Sequence, residues 1–359
     1  MKKLLFCLGV SKAGTTWLHN ALTRHPGVVR IPRKEIHYFL RQYGPVDRLT
    51  DQARLHAFGN HVFRARFNPP DRTLGNSMLI DPDSYGAPWD GQMAADWAED
   101  GVSLNRYRSF LVQVEWYKRF LKGPVGHDWY RSLFAHVPDD RWALDFSTTN
   151  CLATEAGYAD MAGFAEETRA LLILRDPIDR LWSHMKFHGE MTRDIPRFHV
   201  WSLQALRDFA SHHQLVDSSL YADKLDRLSR HFGARAQVLN FEDIGRRPEA
   251  MWQDLLGFLG LPEVPLPQND REAQAINVSK EVEMRPGQFA HLCGDFERDL
   301  TRVAEAGHSF VEPWIARVQA HAREKPEREY WGMRPLARRA ANYLAEDRER
   351  RRALKEARR

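Results

Sequence analysis

The start of the chain constrains its fold more than any other segment does. An apolar run at residues 4–8 leads directly into the loop Gly-Val-Ser-Lys-Ala-Gly-Thr-Thr-Trp at residues 9–17. A short apolar run that ends at a glycine loop indicates a buried strand, and the residues after Gly14 indicate the first turn of a helix. Such a loop aims backbone N–H groups, hydroxyls and a lysine at one point, an arrangement that binds phosphate groups. The opening therefore predicts an α/β sheet with an anion site at the end of its first strand.

The spacing of the loop residues separates it from a Walker A loop. Gly9 and Gly14 have the Walker A separation, but Thr15 stands where that loop has its lysine, and the lysine comes two residues before the second glycine, at Lys12. Gly14 can take a positive φ and let the backbone approach a ligand closely. Thr15 and Thr16 then present hydroxyls and N–H donors to an anion. Taken alone, the loop could equally be a strand-to-helix turn without a ligand.

The order Lys-x-Gly-Thr-Thr after the first strand resembles the 5′-phosphosulfate loop of sulfotransferases that use 3′-phosphoadenosine 5′-phosphosulfate (PAPS). The resemblance implies that six consecutive residues of this loop bind the nucleotide. They are Lys12, Ala13, Gly14, Thr15, Thr16 and Trp17.

A second motif follows another apolar run, at residues 171–174. This run is typical of a central parallel strand, and Arg175 comes at its carboxyl end, where open α/β sheets bind ligands. Asp176 is predicted to cap the next helix, with Pro177 at the first helical position. Arg175 and Ser183 resemble the pair that binds the 3′-phosphate in the family. The alternative is an arginine that pairs with a nearby carboxylate and a serine on a helix surface.

The candidate general base lies in the segment Pro-Arg-Lys-Glu-Ile-His-Tyr-Phe, residues 32–39, which follows a second strand predicted at residues 28–31. The segment resembles the carbohydrate-type, heparan-sulfate-sulfotransferase-like branch of the family. That resemblance implies that Glu35 takes the proton from the acceptor hydroxyl, while Lys12 stabilises the departing 5′-phosphate.

Alternatives exist for both titratable groups of this segment. His37 is the rival base, although a half-buried histidine that holds a backbone carbonyl is the preferred interpretation. Glu35 could instead be an exposed carboxylate that pairs with Arg33 or Lys34.

Two further segments resemble the family more weakly. Lys280 and Arg285 lie where family members fold a loop over the nucleotide, so the resemblance implies that they contact it. Asp145 and Ser147 follow the predicted third strand and could either contact the acceptor or cap the turn.

The predicted fold class is α/β: a P-loop-like three-layer sandwich with a central, mostly parallel sheet and helical insertions that form the acceptor side. A single domain is predicted over residues 1–310, with insertions at residues 41–140 and 186–218 over the cleft. Residues 311–359 are predicted to form a basic helical extension.

Composition argues against several classes of partner and site, namely nucleic acid, a metal site, a disulfide framework and a membrane span. A net charge of +4 is too small to argue for nucleic acid. The three cysteines are too few for a disulfide framework or metal site, and no apolar run reaches the roughly 20 residues of a membrane span. We expect a cytoplasmic bacterial protein without a metal. Its basic C-terminal tail could be a solvated helix or could make peripheral contact with an anionic membrane.

These observations predict a PAPS-dependent sulfotransferase that modifies a hydroxyl of a small-molecule, glycan or lipid acceptor and releases adenosine 3′,5′-bisphosphate (PAP). The sequence leaves open the acceptor, the choice between O- and N-sulfation and the oligomeric state. Two alternatives remain: a P-loop kinase or NTPase, and a non-catalytic PAP-binding protein.

Overall fold

The structure is a computed structural model that describes residues 2–44, 47–67, 104–192, 201–212, 214–267 and 294–323, together with Phe198 and Leu292. The predicted nucleotide contacts Lys280 and Arg285 lie outside the described residues. So does the basic tail from residue 324 onward.

Within the described residues, the strands form one five-stranded sheet in which every pairing is parallel. The spatial order is β2-β3-β1-β4-β5. The strands are β1 (Lys3–Gly9), β2 (Val28–Val29), β3 (Trp142–Asp145), β4 (Glu167–Leu174) and β5 (Ala236–Asn240).

Helices connect these strands and account for most of the remaining described residues. They are α1 (Thr15–Leu22), α2 (Tyr38–Tyr43), α3 (Asp51–Phe67), α4 (Leu104–Leu121), α5 (His127–Ser132), α6 (Glu155–Ala162), α7 (Pro177–Thr192), α8 (Leu203–His212), α9 (Ala222–Phe232), α10 (Asp243–Arg246), α11 (Pro248–Leu259), α12 (Phe296–Glu305) and α13 (Glu312–Ala322). Among the described residues, no helix has both the length and the apolar character needed to cross a membrane.

The central strand β1 explains why the apolar run at the start of the chain is so continuous. Every residue of β1 after Lys3 is buried, so both faces of the strand are covered, as parallel sheets require. The predicted α/β fold class is confirmed, and the sheet, predicted to be mostly parallel, is parallel throughout its described strands.

The chain divides into two compact units. The first comprises Met1–Leu174 and Asp226–Ile276, and it contains the whole described sheet. The second comprises Arg175–Leu225 and Asn277–Arg359. The domain boundary at residue 310 stays a prediction.

Two glycines allow the loop after β1 to pack closely. Gly14 has the positive φ expected from the sequence, +78°, and a Cβ there would collide with Ile244 Cδ1. Gly9 has a φ of +139°, and a Cβ there would collide with the backbone carbonyl oxygen of Thr148. The same segment is tied to the loop by Ser11, whose Oγ lies 2.7 Å from Thr148 Oγ1.

Replacing Gly9 by alanine should lower the free energy of unfolding by about 1–3 kcal/mol, because the new methyl group meets a backbone atom and φ is unfavourable for an L-residue. Urea denaturation followed by circular dichroism would measure the change. The matched control is Gly257→Ala on α11, where nothing lies within 4 Å of the added Cβ. That control should be neutral or stabilising by up to about 1 kcal/mol, and equal losses in both variants would contradict the steric explanation.

Candidate active site

The predicted anion loop ends at the N-terminus of α1. Gly14 precedes the helix in a left-handed conformation, and the first turn, Thr-Thr-Trp-Leu, has no acidic side chain. The positive end of the helix dipole is therefore not offset by residues of its own first turn. Thr15 is buried and Thr16 is half-buried. Lys12 is half-buried in the loop and has a φ of +71°, which is unusual for a residue other than glycine.

Lys34 places a second cation at this helix end. Its ammonium group donates to Thr15 Oγ1 at 3.2 Å and to Thr16 Oγ1 at 3.0 Å. Sequence reasoning considered Lys34 only as an ion-pair partner of Glu35 and missed its contact with the loop. The one feature of the sequence that could have indicated a role for Lys34 in the site is its place directly before the candidate base.

Glu35 lies beside both Lys34 and His37. Its Oε1 is 3.8 Å from Lys34 Nζ, and its Oε2 is 3.3 Å from His37 Nε2. Burial raises the pKa of Glu35, but the hydrogen bond from His37 and the charge of Lys34 outweigh this effect, so the pKa lies below its ordinary value of 4.5. The side chain remains 34% exposed. Glu35 is therefore an ionised carboxylate at neutral pH that a ligand can reach.

His37 is held from both sides of its ring. Nδ1 lies 3.0 Å from Thr149 Oγ1, and Nε2 faces Glu35. Its side chain is only 4% exposed, and its backbone has a positive φ of +63°. From sequence, the preferred interpretation of His37 was a histidine that holds a backbone carbonyl. In the structure its ring instead contacts a hydroxyl and a carboxylate. Such contacts orient Glu35 and fix the ring.

A buried network fixes the backbone that carries Glu35. The backbone N–H groups of Ile36 and His37 both donate to Ser147 Oγ at 2.8 Å. Ser147 Oγ donates in turn to Asp145 Oδ1 at 2.5 Å, and Tyr130 OH donates to Asp145 Oδ2 at 2.6 Å. Asp145 and Ser147 are fully buried. Of the two roles considered from sequence, the contacts support the cap, since the N–H of Ser147 donates to Asp145 Oδ1 at 2.9 Å. The bonds of Ser147 to Ile36 and His37 add a positioning role that the sequence did not indicate.

Burial raises the pKa of Asp145 above its ordinary value, although the bonds from Ser147 and Tyr130 partly offset the effect. The network therefore holds a carboxylate whose charged form depends on its hydrogen-bond donors.

Aromatic packing anchors the residues that follow the candidate base. Tyr38 stacks on Tyr130 with ring centroids 4.7 Å apart, and Phe39 packs edge-on against Phe6 of β1 at 5.3 Å. Tyr130 is fully buried. The His-Tyr-Phe sequence is thus explained by a core contact on one side and a site contact on the other.

In the second compact unit, the Arg-Asp-Pro turn has the predicted local structure. Asp176 Oδ1 accepts from the N–H of Ile178 at 2.9 Å, and α7 begins at Pro177. Arg317 on α13 donates to Asp176 Oδ2 at 2.8 Å and to Asp179 Oδ1 at 2.8 Å. This clamp was not visible in the sequence, because 141 residues separate Arg317 from Asp176.

Arg175 itself is half-buried, and its carbonyl accepts a hydrogen bond from Tyr221 OH at 2.6 Å. Ser183 is half-buried on α7. The fully buried Arg180, one turn of α7 before His184, donates from Nε to Ser219 Oγ at 2.6 Å and has a structural role.

The structure therefore brings together, within the first unit, the hydroxyls at the start of α1, the ammonium of Lys34, the carboxylate of Glu35 and the ring of His37. Arg175 and Ser183 belong to the second unit. Among the residues that the structure describes, no group of three or more His, Cys, Asp or Glu side chains is arranged to hold a metal ion.

A family model described as "Sulfotransferase family" matches residues 5–265, which include the loop, the candidate base and the Arg-Asp-Pro turn. The chain belongs to the sulfotransferase family. The match does not distinguish the carbohydrate-type branch, which stays a prediction.

One solved sulfotransferase shares the fold of this chain, and two further ones are similar to it. The sulfotransferase from Alicyclobacillus acidocaldarius aligns at 19% identity with a TM-score of 0.53, covering 86% of this chain and 96% of the other. The sulfotransferase domain of the curacin biosynthetic pathway aligns at 16% identity, TM-score 0.42, covering 74% and 76% of the two chains. That of the Synechococcus PCC 7002 olefin synthase aligns at 18% identity, TM-score 0.40, covering 83% and 84%. No curated protein matches the chain.

Replacing Ser147 by alanine should lower the free energy of unfolding by about 1–3 kcal/mol, since two buried N–H groups lose their acceptor. Chemical denaturation measures the loss. Thr301→Ala is the control, because that hydroxyl is exposed and bonds only within its own helix. The control should stay within about 0.5 kcal/mol of the unmodified protein. An unchanged stability in Ser147→Ala would contradict the positioning role.

Proposed function

We propose that this member of the sulfotransferase family uses PAPS as donor and transfers its sulfuryl group to a hydroxyl of a small-molecule, glycan or lipid acceptor, with release of PAP. The observation that carries the proposal is a cluster of side chains in the first unit. The ammonium group of Lys34 contacts both the carboxylate of Glu35 and the threonine hydroxyls at the start of α1. A carboxylate base beside an anion-binding helix end suits a reaction that takes a proton from one oxygen while an anionic group leaves another.

On the donor side, residues 12–17 bind the 5′-phosphosulfate, with Lys12 providing charge and Thr15 and Thr16 providing hydroxyl and N–H donors. The positive φ at Gly14 and the absence of an acidic side chain from the first turn of α1 support this assignment. In this proposal Lys12, Arg175 and the helix N-terminus supply the positive field around the donor.

The 3′-phosphate binds to Arg175 and Ser183. A guanidinium makes forked, charge-assisted contacts with phosphate oxygens, and a hydroxyl adds a neutral donor. The clamp of Arg317 on Asp176 and the bond of Tyr221 to the Arg175 carbonyl support this assignment, because they fix the backbone from which the arginine side chain extends. Lys280 and Arg285 are proposed as additional nucleotide contacts on the resemblance alone.

In the transfer step, the acceptor oxygen attacks sulfur while the bond between sulfur and the 5′-phosphate oxygen breaks. The bonding electron pair leaves with PAP, and the acceptor proton goes to Glu35. His37 orients the carboxylate through its 3.3 Å contact and is fixed in turn by Thr149. General-base catalysis of this kind contributes about 10² to 10⁴ in rate.

A cytoplasmic location in a bacterium completes the proposal. Cys7 and Cys151 are buried as thiols and not as disulfides, which suits a reducing compartment. Peripheral membrane contact through the basic C-terminal tail remains part of the proposal on its sequence alone.

Glu35→Gln should lower turnover by about 10² to 10⁴ and leave PAP affinity within about threefold, because the amide keeps the shape of the carboxylate but cannot accept a proton at neutral pH. Calorimetry with PAP and transfer of labelled sulfate from PAPS to a panel of hydroxyl compounds would measure both quantities. The control is Glu115→Gln, an exposed glutamate paired with Lys118, which should change neither.

Unchanged turnover in Glu35→Gln would move the base to His37.

In the unmodified enzyme, kcat/KM should stay level from neutral pH down to about pH 5, since a pKa below 4.5 keeps Glu35 ionised there. Tight PAP binding without transfer to any acceptor would favour a non-catalytic nucleotide-binding protein. ATP hydrolysis that requires Mg²⁺ and Lys12 would favour an NTPase.

Arg175→Ala should weaken PAP binding by about 10- to 100-fold, the value of a charge-assisted contact. AMP, which lacks the 3′-phosphate, should bind both proteins with similar affinity. Calorimetric titration of each nucleotide gives the comparison, with the exposed Arg230→Ala as control. If the unmodified enzyme bound PAP and AMP equally well, the 3′-phosphate site would be wrong.

A further inference from the structure

Arg33 lies directly before Lys34 and Glu35 in the chain, and its side chain extends to a different element from theirs. Its Nε donates to the backbone carbonyl of Glu35 at 2.6 Å, and its guanidinium lies over the ring of Phe120 on α4, 5.4 Å from the ring centroid. Lys34 instead reaches the threonine hydroxyls at the start of α1. Two cations therefore flank the residue that carries the candidate base, one directed at the anion loop and the other at α4.

Arg33 has no carboxylate partner among the residues that the structure describes. The carboxylate of Glu35 is directed toward Lys34, and Arg33 bonds only to the backbone oxygen of Glu35. The guanidinium is half-buried. Burial lowers the pKa of Arg33, and the charge of Arg48 lowers it further, while Tyr117 and Glu35 act in the opposite sense. Arg33 thus keeps a positive charge without an ion-pair partner, and its terminal nitrogens can donate to a ligand.

Arg48 is a second cation without a carboxylate partner in the described part of the chain. Its side chain is exposed, and its charge acts on both Glu35 and Arg33. The carboxylates nearest to it in sequence are paired with other arginines, in the pairs Arg41–Asp47 and Asp51–Arg54. Positive charge is therefore in excess around the candidate base.

The contact with α4 indicates which substrate this charge serves. α4 belongs to the insertion at residues 41–140, which the sequence predicts to form the acceptor side. Among the described residues, Arg33 makes no hydrogen bond or ion pair with the anion loop at residues 9–17. Phe120 is fully buried and gives the guanidinium an aromatic surface on one face, which leaves its edge for planar contacts with an anion. An acceptor whose hydroxyl reaches Glu35 from this side also comes within reach of Arg33.

We propose that the acceptor carries an anionic group, a carboxylate or a phosphate, beside the hydroxyl that is sulfated, and that Arg33 binds this group. The assignment rests on the proposed function and narrows its acceptor class. A guanidinium donates two parallel hydrogen bonds to a carboxylate or phosphate, so it orients the acceptor as well as attracting it. Because Nε of Arg33 is tied to the backbone of Glu35, neighbouring residues align the anion and the attacking hydroxyl. Arg48 is exposed and adds an attraction that salt screens.

Matched pairs of hydroxyl compounds test the proposal, with one anionic and one neutral member in each pair. The pairs are nitrophenyl glucuronide with nitrophenyl glucoside, β-hydroxyoctanoate with its methyl ester, and lysophosphatidic acid with monoacylglycerol. Transfer of labelled sulfate from PAPS should give a kcat/KM at least about 10-fold higher for the anionic member of each pair that reacts.

Variants of Arg33 assign this preference to its side chain. Arg33→Met should lower kcat/KM for the anionic member by about 10- to 100-fold, and should change kcat/KM for the neutral member and PAP affinity by less than about threefold. Arg33→Lys should keep a smaller preference for the anionic member, because it retains the charge but not the forked geometry. The matched control is Arg230→Met, an exposed arginine paired with Glu155, which should leave the preference unchanged.

The possible results separate the acceptor class from the proposed function. If no member of any pair is sulfated, the proposed function is wrong, and the acceptor class falls with it. If the neutral members react as well as the anionic ones, the function stands and the acceptor class is wrong. An equal loss for both members in Arg33→Met would mean that Arg33 only holds the loop, and weaker PAP binding would place it on the donor side; either result overturns the assignment. The preference of the unmodified enzyme requires no variant, so it tests the acceptor class even if Arg33→Met fails to fold.

Discussion

The backbone N–H groups of Ile36 and His37 share one acceptor, the hydroxyl of Ser147, and that hydroxyl donates a hydrogen bond to Asp145. Ser147 follows β3 by two residues, and β3 is paired in register with β1 and β2. The position of the serine is therefore fixed relative to the sheet. The loop that presents Lys34 and Glu35 therefore takes its position from the sheet and not from contacts among the charged side chains themselves.

Several parts of the fold and site followed from sequence because they depend on neighbours along the chain. The buried strand β1, the left-handed Gly14, the cap by Asp176 and the start of α7 at Pro177 are local consequences of residue type. Glu35 became a candidate through the resemblance of its segment to the sulfotransferase family, and its contacts with Lys34 and His37 link residues within three positions. Periodicity and capping rules predict features of this kind, which depend on residues a few positions apart.

The remaining features depend on partners that are distant in sequence. Lys34 contacts threonines 18 and 19 residues away, Ser147 bonds to backbone groups more than 100 residues away, and no periodic pattern encodes either distance. The division into two compact units was equally hidden. It falls between Leu174 and Arg175, inside a strand-to-helix motif, where no proline-rich or glycine-rich linker marks a boundary.

Arg317 has a practical consequence for anyone who would shorten this protein. The family match ends at residue 265, so its border invites truncation there, yet the guanidinium that neutralises Asp176 and Asp179 comes from α13. A trimmed version would retain the anion loop, the candidate base and the Arg-Asp-Pro turn, and still leave two neighbouring carboxylates without their shared counter-ion. Chimeras that borrow the matched region should therefore carry the chain through Ala322.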